Sequence, residues 1–138
     1  MLQLSQLRVL FFTLFCTLLL VACSGAKEDE AVKSYLNAIA SGNADKAVSM
    51  LYFAPEDTKN AAEKAAIEGK LKAMLIEMKE KQFDPRGGLK KIEINNKEFS
   101  DDKKKVTARY TMIFGDGTNE EGSLSLILVN NEWKIAVK

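Results

Sequence analysis

Two thiols, three phenols, one indole and no imidazole are the side chains of this chain best suited to distinctive chemistry. Without His there is no His-dependent triad, no His-ligated zinc and no imidazole acid–base group. Cys16 stands inside an apolar stretch and Cys23 directly follows it, and no further Cys occurs. Residues 24–138 therefore form no disulfide among themselves. Tyr35, Tyr52 and Tyr110 could line a pocket walled by Trp133, or pack as core with their hydroxyls at its rim, which is the plainer reading. Asp116, Asn119, Glu120 and Glu121 offer oxygen ligands. They lack the spacing of a calcium loop, so a solvated turn with no metal is expected. Lys103-Lys104-Lys105, with Lys90, Lys91 and Lys97 on the strand paired to them, form the densest cationic set. Glu93, Glu98, Asp101 and Asp102 blunt its field. No cofactor is implied.

The chain has 138 residues, one domain's worth, with 20 Lys+Arg against 19 Asp+Glu. This balance gives no basic face for nucleic acid. Residues 1–22 carry a single charged side chain, Arg8, ahead of the apolar run Val9–Ala22. That run is shorter than the ~20 residues a helix needs to span a bilayer. It fits the apolar segment of a secretory signal after a positive start. A core helix would have only Thr13, Cys16 and Thr17 for its polar face.

Leu20-Val21-Ala22-Cys23 resembles the lipobox of bacterial lipoproteins. The resemblance implies cleavage between Ala22 and Cys23 and a thioether-linked diacylglycerol on Cys23. The new amine is then acylated, palmitate being an expected chain. Multiple acyl chains make a lasting anchor, where one would hold only marginally. Residues 1–22 then form the signal peptide, 23–28 the lipidated Cys and tether, and 29–138 the domain. Losing Arg8 leaves the mature charge at zero. Ser24 in place of Asp after the lipidated residue implies the outer membrane, facing the periplasm or the cell surface. Ser24-Gly25-Ala26 reaches only ~10 Å when extended, so the domain is expected close to the membrane.

Val32, Tyr35, Leu36 and Ile39 recur at helical spacing, and Ser41-Gly42 ends that helix. Asn43 caps a second, with Ala47, Val48 and Leu51 as its buried stripe and Met50, Tyr52 and Phe53 nearby. A third is predicted from about Glu56 to Gln82, with a kink possible at Gly69, before the turn chemistry of Asp84–Gly88. The period then changes to two. Ile92 and Ile94, then Val106–Phe114, Leu124–Leu128 and Trp133–Val137, read as four antiparallel strands. Parity pairs Leu128 with Trp133 across an Asn130-Asn131 type I′ turn, and Leu124 with Val137. It also demands an odd-length loop around Ser100–Lys104, and leaves Glu98 in phase with Ile94 but exposed at a hairpin end. The expected fold class is α+β, with three N-terminal helices on a curved four-stranded antiparallel sheet. The outer sheet face is polar, interrupted by Ile113, Ile127, Val129 and Ala136, a candidate partner face or homodimer contact.

The segment Ala31–Ala47, helix, Ser-Gly turn and helix, looks like the opening of nuclear transport factor 2-like (cystatin-like) domains. Asn130-Asn131-Glu132-Trp133-Lys134-Ile135 is similar to their closing hairpin. More narrowly, the chain looks like small bacterial lipoproteins of unknown function that carry this domain. The resemblance implies a cone that binds ligands, catalyses or mediates contacts, so fold alone does not choose among them. The expected function is a lipid-anchored envelope protein with a non-catalytic domain that binds an envelope protein or small apolar ligand. The alternative is an enzyme using a Tyr/carboxylate pair inside the cone.

Overall fold

The computed structural model describes residues 26–137. Ala22, Cys23 and the signal segment lie outside the described residues. Helix α1 (Lys27–Ala40) opens with Glu28, Asp29 and Glu30, whose carboxylates suit its positive end. It buries Val32, Leu36 and Ile39 as the spacing predicts, and Ala38 with them, while Tyr35 of the same stripe is half-buried. Gly42, at φ 78°, takes the left-handed turn that ends it. Asn43 then caps α2 (Ala44–Ser49), its side chain accepting from the Lys46 amide at 3.1 Å.

The third helix differs from expectation at its start. Pro55–Asp57 forms a separate 3-10 turn, and α3 runs Ala61–Met78, unbroken through Gly69. Asn60 sets that start, because its extended backbone lets its side chain accept the Glu63 amide at 2.8 Å. A π turn, Lys79–Phe83, and a 3-10 turn, Asp84–Arg86, complete the helical half. Only Leu75 of α3 is buried, whereas Met74 and Ile76 are 60% and 45% exposed.

The sheet has five strands rather than four, in the order β1-β5-β4-β3-β2. The additional strand is β1 (Leu51–Tyr52), which pairs parallel with β5 (Glu132–Ala136). Leu51 and Tyr52 were expected within or beside the second helix. That helix ends at Ser49, and the Ile135 amide donates to the Met50 carbonyl at 2.8 Å, drawing the following residues into the sheet. β2 (Leu89–Phe99), β3 (Lys105–Phe114) and β4 (Asn119–Val129) are antiparallel neighbours. Leu128 faces Trp133, and Asn130 and Asn131 take positive φ, as a type I′ turn requires. The β4–β5 register ends at Leu126–Ile135, and β5 itself ends at Ala136, before the expected Leu124–Val137 pair.

The first hairpin corrects another expectation. Ile94 faces Tyr110, but Asn96 faces Arg109, leaving Asn95 as an extra residue. This bulge reverses the phase of the rest of β2. Phe99 therefore faces Val106 across an even-length connection, not an odd one. Glu98 is exposed as expected, but across from Thr107 on the outer face rather than in phase with Ile94.

Lys97 turns instead toward the helices, where its ammonium meets Glu28 at 2.9 Å and Asp29 at 3.0 Å. The Asp29 contact is a charge pairing without an aligned hydrogen bond. Burial alone would raise the Glu28 pKa, but the Lys97 hydrogen bond and charge hold it below its ordinary range. Burial would likewise lower that of Lys97, and the two carboxylates raise it.

The core lies between the helices and the sheet, where Val32, Phe83, Val106, Phe114 and Leu126 are fully buried. At one end, two turns clasp each other. The Gly115 amide donates to the Gly88 carbonyl and the Asp116 amide to the Arg86 carbonyl, both at 2.9 Å. Arg86 caps the clasp, 4.7 Å above the Phe114 ring and 2.8 Å from Glu120. A Cβ on Gly115 would fall 2.3 Å from the Gly87 carbonyl oxygen. Gly115→Ala is therefore expected to cost about 1–3 kcal/mol in urea unfolding, because backbone must move to admit the methyl.

Lys97→Met is expected to cost about 1 kcal/mol near pH 7, where it leaves two half-enclosed carboxylates without their cation. The lowered Glu28 pKa stabilises above its unfolded pKa, and that contribution disappears as pH falls through the folded value. The raised Lys97 pKa stabilises below its unfolded value and is lost as pH rises through the folded one. The gap between wild type and variant should thus narrow below about pH 4 and again above about pH 10, read by thermal unfolding across pH.

Candidate functional site

The helices leave one sheet face bare, and its relief follows from side-chain size. Directly opposed residues form rows across the strands. One row runs Glu98–Thr107–Ser125, and Tyr52 and its partner Ala136 lie beyond it. A taller row, Lys105–Ile127–Lys134, flanks it on one side, and Arg109 stands on the other. Small side chains between larger ones make a trough. It forms an open groove of about 550 Å³.

Asp57, from the turn after β1, closes one end of the groove, and Glu98, Ser100 and Lys105 of the first hairpin close the other. Val137 and Phe99 lie at its rim, at 47% and 38% exposure, the Phe99 ring itself turning to the helix side against Trp133. Asp57, Glu98 and Lys105 make no ion pair among the described residues. The groove thus offers charges of both signs, four hydroxyl-bearing side chains (Tyr52, Ser100, Thr107 and Ser125) and the apolar Ile127 and Val137.

The candidate aromatics are not gathered in one place. Tyr110 is buried and lies against Gly122, where a Cβ would fall 2.5 Å from its hydroxyl oxygen. Tyr35 is half-buried against the same core. Burial, and then the neighbouring Tyr110, raise the Tyr35 pKa. Burial, and then the Glu120 charge, raise that of Tyr110. Both phenols therefore stay protonated at neutral pH, and Glu120, the carboxylate beside Tyr110, is held by Arg86. Tyr52 lines the groove on the opposite sheet face. Trp133 sits on the helix side, edge-on to Phe99 at 6.4 Å and grouped with Lys27, Glu30 and Ala31 of α1.

The candidate partner face is divided too. Ile127 lines the groove and Val129 follows it on the same strand face, facing Glu132. Ile113 faces Asn119 at the other end of β3, so the three form no continuous patch. The cationic set also disperses, because the Asn95 bulge sends Lys97 to α1 while Lys90 and Lys91 stand at the far end of β2. Asp116 is occupied within its turn, accepting from the Thr118 amide and hydroxyl. Among the described residues no group of three His, Cys, Asp or Glu side chains could hold a metal. No described helix is long and apolar enough to cross a membrane.

Thr107 and Ser125 are legible in the sequence as outer-face polar residues. Their union with Glu98, Asp57 and Tyr52 is not, because it depends on the bulge and on β1.

Helices packed on one face of this sheet make an α+β domain whose fold is nuclear transport factor 2-like. A crystal structure from Campylobacter jejuni, provisionally named an NTF2-like transpeptidase, superposes with a TM-score of 0.71 at 20% identity. The match covers 82% of this chain and 100% of that one, and at this identity it speaks for the fold alone. Residues 21–136 match a family described as a domain of unknown function, DUF4878, and the chain belongs to that family. No curated protein matches this sequence.

Proposed function

We propose that this protein is a lipid-anchored envelope lipoprotein whose domain binds a small ligand, without catalysis, in the groove on its bare sheet face. The observation that carries the binding reading is the contrast between the two faces. The helix side is filled by Phe83, Phe114, Val32, Val106 and Leu126, whereas the other presents a trough with unpaired charges and hydroxyls. Such a mixture of apolar wall and a few convergent polar groups suits ligand recognition. Burial holds the interior phenols protonated, the reverse of an activated nucleophile. The lipoprotein reading rests on the run Val9–Ala22 and the Cys that follows it.

Two measurements test these halves separately. Membrane-extracted protein should carry the added mass of a diacylglycerol and an acyl chain on Cys23 and begin at that residue. Cys23→Ala should lack that mass and leave the membrane fraction; an unmodified wild-type mass would overturn the anchor.

For the groove, Ser125→Trp should fill the trough and leave thermal stability within about 0.5 kcal/mol of wild type. Amide shifts at Thr107 and Ile127, followed with a short-chain phospholipid, a disaccharide and a tetrapeptide, should respond to one of them in wild type only. A response that persists unchanged in Ser125→Trp would overturn the assignment.

A further inference from the structure

The groove and the start of α1 share one end of the domain. Lys97, two residues before the groove residue Phe99, holds Glu28 and Asp29 of the first turn of α1. Phe99 itself touches Trp133, which lies beside Lys27. Under the anchored reading, residues 24–26 hold this end within ~10 Å of the lipidated residue. Among the described residues four large apolar side chains are exposed, and the two on the sheet half, Val137 and Phe99, lie at the rim of this groove.

The charges complete the picture. Glu98 faces Thr107, and Lys105 lies two residues before Thr107, so Glu98 and Lys105 are diagonal neighbours about 7–8 Å apart along the outer face. Asp57 adds a second carboxylate at the opposite end. A ligand that places a cation and an anion a few ångströms apart matches this pattern, and apolar substance beside its charges matches Ile127 and Val137.

We propose that the groove takes the zwitterionic headgroup of a membrane phospholipid with a primary amine, that is, phosphatidylethanolamine. Its ammonium donates to Glu98. Its phosphate accepts from Lys105 and from the Thr107 and Ser125 hydroxyls. Ile127 of the outer face, with Val137 at the rim, meets the glycerol and upper acyl region. The Glu98 carboxylate favours a primary ammonium over a quaternary one because only the former has N–H groups to donate. This deepens the binding reading and, for the bilayer as the source of ligand, rests on the Cys23 anchor.

The test uses the full chain on vesicles of phosphatidylcholine alone, with a quarter phosphatidylethanolamine, or with a quarter phosphatidylglycerol. Amide exchange in residues 53–58 and 99–105, the walls of the groove, should slow about threefold only with phosphatidylethanolamine. Glu98→Gln should abolish the slowing, while Glu121→Gln, on the same face outside the groove, should keep it. Equal slowing with phosphatidylglycerol, or equal exchange on all three vesicles, would overturn headgroup recognition. Cys23→Ala protein with sub-micellar dihexanoyl-phosphatidylethanolamine separates the two readings. Slowing of this variant by the free lipid, with no slowing of the wild type on vesicles, would support the groove and overturn the anchored orientation.

Discussion

Inserting Asn95 into β2 shifts every following side chain of that strand to the opposite face. Before the bulge, Ile92 and Ile94 face the helices. After it, Lys97 and Phe99 do, and Glu98 faces away. Because the side-chain period of a strand is two, one extra residue is enough. The Asn95 side-chain Nδ2 also donates to the Thr111 hydroxyl at 2.7 Å, which holds the extra residue on the outer face. Without this reversal Lys97 would point to solvent, the first turn of α1 would lose its cation, and Glu98 would sit among apolar side chains. The bulge thereby sets both the attachment of α1 and the charge of the groove.

The two ends of the sheet are held by different physics. Near the start of α1 the joint is ionic, three charged groups from a helix and a strand in a half-enclosed space. At the other end it is backbone against backbone, with no room for a side chain at Gly115. An ionic joint varies with pH and salt, while the glycine clasp depends on sterics and varies with neither. Arg86 couples the clasp to the core through the face of Phe114, which in turn meets Phe83 edge-on at 5.7 Å.

The fold class and most of the elements were legible in the sequence because periodicity is a local signal. The α1 stripe, the Ser41-Gly42 stop, the Asn43 cap and the Asn130-Asn131 hairpin all follow from residues close to one another in the chain. What was not legible is non-local. β1 is two residues long, too short to show a period, and exists because β5 offers it a partner. Parity read along β2 gives the wrong face after Ile94, since nothing in the string Ile94-Asn95-Asn96-Lys97 marks which residue is left over. The groove inherits both difficulties, being assembled from one bulged strand, two regular ones and the turn after β1. Of the aromatic residues, Tyr35, Tyr110 and Trp133 pack against the core, the plainer of their two readings, while Tyr52 lies on the other sheet face.

Helix α3 has a thermodynamic consequence of its own. Eighteen residues long, it buries one side chain fully and packs chiefly on α2 rather than on the sheet. Its N-terminal third, Ala61–Ala66, is exposed throughout. Helical hydrogen bonds without buried apolar contacts add little free energy in water. Stability in this domain is therefore graded, highest in the strands around Val106, Phe114 and Leu126 and lowest at the tip of α3. That tip can unwind and re-form many times while the sheet stays closed, so proteases would meet an open chain there long before the domain as a whole unfolds.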